Sequence, residues 1–235
     1  MNQSNSLSVH LKRSESIAGW IYLPFYLFFL SLILGIVLAA LGYDILDAGI
    51  QAKTNLAYGV INFIAVCLIF RRFLIQNLSH VFHHFWGYLQ AVILGFVMYW
   101  VGTMLVGVLV NWLHPGIANM NNNAVESMAG SNYRAMLLYT VALAPIVEET
   151  LFRGLVFSTL HRRTRIGAYA VSILFICAIP VVGFLGTVPW VDLLLNFPQY
   201  VPAGIALGWA YERADSIWAP ITMQLIINAI AMLSL

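Results

Sequence analysis

The sequence predicts an all-α protein, a polytopic transmembrane helical bundle of about seven helices. Three observations carry this prediction. Hydrophobic residues fill 61% of the 235 positions and charged residues only 9%, with a mean hydropathy of +0.86, whereas about a quarter of the residues of a soluble domain are charged. A window of about 20 residues, the length of helix that crosses the hydrocarbon core, finds apolar runs near 20–42, 55–70, 87–112, 135–160, 167–188, 199–212 and 217–235. Lys12 with Arg13, Arg71 with Arg72, the loop from His161 to Arg165, and Arg213 stand on alternate loops, hence on one side of the membrane. Basic loops stay cytoplasmic, so that side and the N-terminus are expected in the cytoplasm, with the C-terminus outside.

The first run, 20–41, is longer than the apolar region of a cleaved signal and reads as a first span. After the second run, His80, His83 and His84 stand at helical spacing. The expectation is an interfacial helix with Phe73, Leu74, Leu78, Phe82 and Phe85 dipping into the headgroups; the alternative is a metal site built on the imidazoles. Residues 113–133 read as an outer loop of about twenty residues, rich in asparagine at Asn119 and Asn121 to Asn123. In the fourth run Pro145 removes a helix hydrogen bond, which predicts a kink and a free carbonyl. The sixth run is short, and Pro198 and Pro202 make it a candidate for a partly re-entrant segment. It contains Gly204 and Gly208, a GxxxG spacing that lets another backbone approach closely.

No linker, repeat or low-complexity stretch suggests a second domain, so one membrane domain is expected, with residues 1–18 as a cytoplasmic N-terminal segment and 19–134 as N-terminal transmembrane helices. A net charge of +2 scattered over short loops implies no nucleic-acid partner. Cys67 and Cys177 lie in apolar runs without the spacing of a disulfide or metal site.

Chemistry is concentrated in the fourth run. Glu148, Glu149 and Arg153 sit in the middle of a stretch long enough to cross a bilayer, where ionised groups are expensive and default to functional roles. Glu149 and Arg153 are four apart, the favourable arrangement for an ion pair on one helix face. A structural pair has no use for the second acid, so Glu148 marks a functional polar centre. Gln224 and Asn228, also four apart, either hydrogen-bond across helices as a packing device or face the two glutamates.

The segment Ala144-Pro145-Ile146-Val147-Glu148-Glu149-Thr150-Leu151-Phe152-Arg153-Gly154 resembles the first motif of the CPBP family, the CAAX protease and bacteriocin-processing (Abi) proteins: two glutamates, three residues, then arginine. The resemblance continues through the basic loop His161 to Arg165, through Gly204-Ile205-Ala206-Leu207-Gly208-Trp209-Ala210-Tyr211 and through Ser216-Ile217-Trp218-Ala219-Pro220-Ile221. It covers roughly 135–230 and implies that 135–235 is a CAAX protease-like core. It also implies an intramembrane endopeptidase in which a glutamate activates water near the cytoplasmic membrane face, histidines and an asparagine orient water and stabilise the oxyanion, and the catalytic set is Glu148, Glu149, Arg153, Gln224 and Asn228.

The chain departs from the family where imidazole is expected. The second motif, Phe then His four residues on, reads Phe175 and Ile179, or Pro180 if the frame slips one place; the third, His then Asn or Asp four residues on, reads Gln224 and Asn228. An amide donates a hydrogen bond but exchanges no proton. Loss of one oxyanion donor costs on the order of 100- to 1,000-fold in rate, so weak or lost activity is expected. Metal and cofactor requirements stay open, and the oxygen-only set that remains is poor for zinc. Two readings follow: an endopeptidase acting on a peptide or membrane protein, and a non-catalytic scaffold, partner-binding or bacteriocin-immunity protein using the same polar cavity. Either is an integral protein of the lipid bilayer, expected in a bacterial cell membrane.

Overall fold

The computed structural model describes residues 7–117 and 119–235, so the first six residues of the expected N-terminal segment lie outside it. Nine helices are found among the described residues: α1 Arg13–Ala40, α2 Ala48–Ile69, α3 Arg71–His83, α4 Phe85–Leu113, α5 Met120–His161, α6 Arg165–Val182, α7 Trp190–Asn196, α8 Val201–Ala214 and α9 Trp218–Leu233. Five of them (α1, α2, α4, α5 and α6) are long and apolar enough to cross a membrane. α9 is a shorter apolar helix, and in the run 190–214 a 3-10 turn at Phe197–Tyr200 joins α7 to α8.

Local signals explain most boundaries. Asp47, Asn119 and Thr164 cap α2, α5 and α6 by accepting from the amides of Ile50, Asn122 and Gly167. α8 ends at Asp215, whose φ of 51° is left-handed and whose carboxylate accepts the Ser8 amide at 2.8 Å. The expected outer loop is mostly absent: α5 begins at Met120 and kinks at Asn132 (φ −151°, ψ 77°). Asn119 acts as a helix cap and end-pairing group and Asn132 accepts from the Ala135 amide at the kink, roles that a loop-like composition does not reveal.

Hydrogen bonds sort the bundle into two ends. At one, Asn119 donates to Gln199 and accepts from Tyr200, and the Met120 amide reaches Asn196. At the other, the Phe73 amide donates to Glu15 and the Ile217 amide to Asn77, while Glu212 accepts from Arg165 and Tyr169 and meets His161 at 2.5 Å. The segment 196–212 has residues in both sets and therefore reaches from one end of the bundle to the other. The basic clusters all fall at the Glu212 end.

α5 is the central helix: half of its apolar window is buried, against 11% for α4. Phe157, Leu151, Leu155 and Tyr211 form the core with Phe70, Phe73 and Ile221. α8 closes on α6 as its glycines predict, since a Cβ at Gly204 would stand 3.1 Å from the Cα of Ile173. Of the residues expected to dip into the headgroups, Leu78, Phe82 and Phe85 are exposed but Phe73 and Leu74 are buried in the bundle core; α3 is pinned there by its Asn77 and Glu15 contacts and cannot turn its whole apolar face outward.

Candidate active site

The site grows out of an irregularity in α5. Six residues of regular helix, Ala144–Glu149, are bracketed by wider π-helical turns at Leu138–Leu143 and Thr150–Phe157. In the first, the Ala144 amide donates five residues back, to the Tyr139 carbonyl. The next donor in that register would be residue 145, a proline with no N–H. The Thr140 carbonyl is left without a partner in its own helix, and Asn228 of α9 supplies one, its Nδ2 donating at 2.8 Å. This is the free carbonyl expected from Pro145, already answered across the bundle.

The two glutamates then part company. Glu149 and Arg153 are 0% and 1% exposed and form an ion pair at 2.8 Å. Arg153 Nε and Nη2, Glu149 Oε2 and the Thr150 hydroxyl find no partner among the described residues. Glu148 turns the other way and is only partly buried. Gln224 of α9 donates to its Oε2 at 2.6 Å, and the residue lines a recess of about 10 Å³ with Tyr26, Tyr58, Asn62 and Tyr139. The ion pair is neutral as a unit, so Glu148 is the remaining carboxylate, steadied by an amide instead of a guanidinium.

Of the five sequence-predicted residues, the structure thus joins Glu148 with Gln224, and Glu149 with Arg153, while Asn228 is committed to the Thr140 carbonyl. They do not surround one cavity with room for an extended peptide. Phe175 stacks on Phe152 (centroids 5.6 Å apart), but Ile179, four residues on, is 38% exposed on the outer surface of α6. His80 and His84 stack on each other at 4.3 Å, and His80 lies 3.8 Å from Asp215. No group of three His, Cys, Asp or Glu side chains suited to a metal occurs among the described residues. The neighbours of Glu148 are an amide and phenols, so the residues present do not fit a metal centre. His161, read as one more polar member of the basic loop, is 9% exposed and bound to Glu212.

The sequence reading missed the tyrosines. Tyr58 donates to the Tyr26 carbonyl at 2.7 Å, and Tyr22 to Asn62 at 2.7 Å. Two signals were there to find: Tyr22 with Tyr26, and Tyr58 with Asn62, are each four apart on otherwise apolar helices, which sets polar groups along one face.

Residues 130–230 match the family model described as Type II CAAX prenyl endopeptidase Rce1-like. No curated protein and no solved structure matches the chain. The matched segment runs from the kink of α5 into α9 and holds both glutamates, Arg153, Gln224 and Asn228. The core of this integral membrane protein, residues 130–230, is therefore similar to the type II CAAX prenyl endopeptidases, Rce1-like.

Proposed function

We propose that the protein is an intramembrane endopeptidase of low rate, with Glu148 as general base. The observation that supports this most is the placing of Glu148: one carboxylate oxygen is held by Gln224, and the residue fronts a recess about the size of one water. A base oriented by a second group and open to water has the arrangement that general-base hydrolysis needs. Glu149 and Arg153 are sealed together and serve as the support of the turn that carries Glu148. Gln224 has a second amide N–H to offer a developing oxyanion. Thirteen residues of helix, about 20 Å at 1.5 Å per residue, separate Glu148 from His161 at the basic end. The bond is then cut within the bilayer, deeper than the resemblance alone implies, and the basic end faces the cytoplasm.

The test is proteolysis by the purified full chain against a library of peptides, membrane-spanning ones included. Slow cleavage that disappears in Glu148→Ala is expected. A second reading, a non-catalytic scaffold or partner-binding protein, is favoured by the smallness of the recess and the sealing of the ion pair; absence of any Glu148-dependent cleavage would establish it over the first.

A further inference from the structure

Two helices outside the family match contribute to the recess at Glu148: Tyr26 from α1, and Tyr58 and Asn62 from α2. The fourth side chain, Tyr139, belongs to α5 itself. Nine residues of regular α-helix make about two and a half turns and would set Tyr139 opposite Glu148. The π-helical turn at Leu138–Leu143 adds a residue to the intervening winding and brings both onto one recess. Gly59 makes the room: a Cβ there would stand 2.6 Å from the Tyr139 ring.

We propose that this recess seats the hydrolytic water, and that Tyr58 and Tyr139 hold it where the family would use imidazole. The assignment rests on the endopeptidase reading. A buried water is stable with about three hydrogen bonds and a space of roughly 10–15 Å³; the recess is about 10 Å³, and in a lining that is otherwise mostly apolar Tyr58, Tyr139 and Glu148 bring polar groups to it. Each neighbour has one role to fill. Tyr58 spends its proton on the Tyr26 carbonyl and its oxygen also meets the Tyr26 hydroxyl, which leaves one lone pair to accept a water proton. Gln224 occupies Glu148 Oε2, and Oε1 accepts the other. Tyr139 donates its O–H to one lone pair of the water, which leaves the second lone pair aimed outward at a substrate carbonyl.

In the reaction Glu148 takes a proton as the water oxygen bonds to the carbonyl carbon, and the C=O electron pair moves onto oxygen. The tetrahedral adduct collapses with cleavage of the C–N bond. The proton on Glu148 passes to the departing amine, restoring the carboxylate. Tyr139 ends unchanged.

The experiment uses the full chain in detergent, with a peptide found in the cleavage assay and with Tyr139→Phe, which removes only the hydroxyl. The expected result is a kcat lower by about 10- to 100-fold, with KM within about twofold and an unchanged melting temperature. Tyr139→His, which restores a donor, should recover part of the loss. Tyr133→Phe, on the same helix but bonded to the Met232 carbonyl, should leave kcat alone. Gly59→Ala, which pushes the Tyr139 ring while keeping every polar group, should reproduce the loss and serves if Tyr139→Phe does not fold. An unmoved kcat in Tyr139→Phe, or KM and melting temperature shifting together, overturns the tyrosine assignment while Glu148-dependent cleavage stands. No Glu148-dependent cleavage by the native chain overturns the endopeptidase reading and this assignment with it.

Discussion

Gln224 on α9 donates to Glu148 on α5 at 2.6 Å, so the position where the family would place an imidazole still touches the first glutamate. On the endopeptidase reading, an amide at that position can orient the glutamate but exchanges no proton. Gln224→Leu removes the donor and leaves a partly buried carboxylate oxygen unbonded, a loss of about 1–3 kcal/mol. Melting in detergent should fall, and any cleavage should fall further than stability alone explains.

Gln224→His restores an imidazole against Glu148 and should raise cleavage above that of the native chain. Ile179→His should add little, because Ile179 is 38% exposed on the outside of α6. If the two changes act more than additively in the peptide assay, α6 must rotate to bring position 179 inward in the working state.

Arg153→Leu leaves Glu149, 0% exposed, without a counter-charge, and breaking a buried pair in this way costs about 3–5 kcal/mol. Glu149→Gln keeps an oxygen for Arg153 to bond and should cost less. Replacing both with leucine should be milder than Arg153→Leu alone. Equal melting losses for the two single changes would show that Glu149 and Arg153 do not form one unit.

Asn228→Ala frees the Thr140 carbonyl that Pro145 cannot serve, at about 1–3 kcal/mol. In a Pro145→Ala background the amide at 145 can return to the helix, and the same Asn228→Ala change should cost measurably less. A full thermodynamic cycle on the four proteins checks this coupling; independence of the two sites would mean that Asn228 braces something other than the turn.

The clustering of basic residues at the Glu212 end predicts that cysteines placed at Arg71 and Arg162 react only with reagents admitted to the cytoplasm, and one at Asn121 only from outside. Labelling of intact cells with a membrane-impermeant maleimide reads this directly, and the reverse pattern would invert the orientation.

The sequence by itself determined the membrane bundle, because the cost of charge and unbonded backbone in hydrocarbon leaves few alternatives to long apolar helices. It also showed the acid cluster, since Glu148, Glu149 and Arg153 are conspicuous in an apolar run. Hydrophobicity alone could not show that residues 120–134 are helical: their asparagines carry no apolar signal, and Asn119 and Asn132 act as caps through contacts specified by geometry. Only the tertiary structure separated the two glutamates. Their neighbouring positions are the same in composition, but the turn around Pro145 sends one to Arg153 within its own helix and the other to Gln224 and the tyrosines of α1 and α2. Partners so distant in the chain leave no periodic trace, because they are chosen by how helices pack and which carbonyls a proline leaves unbonded.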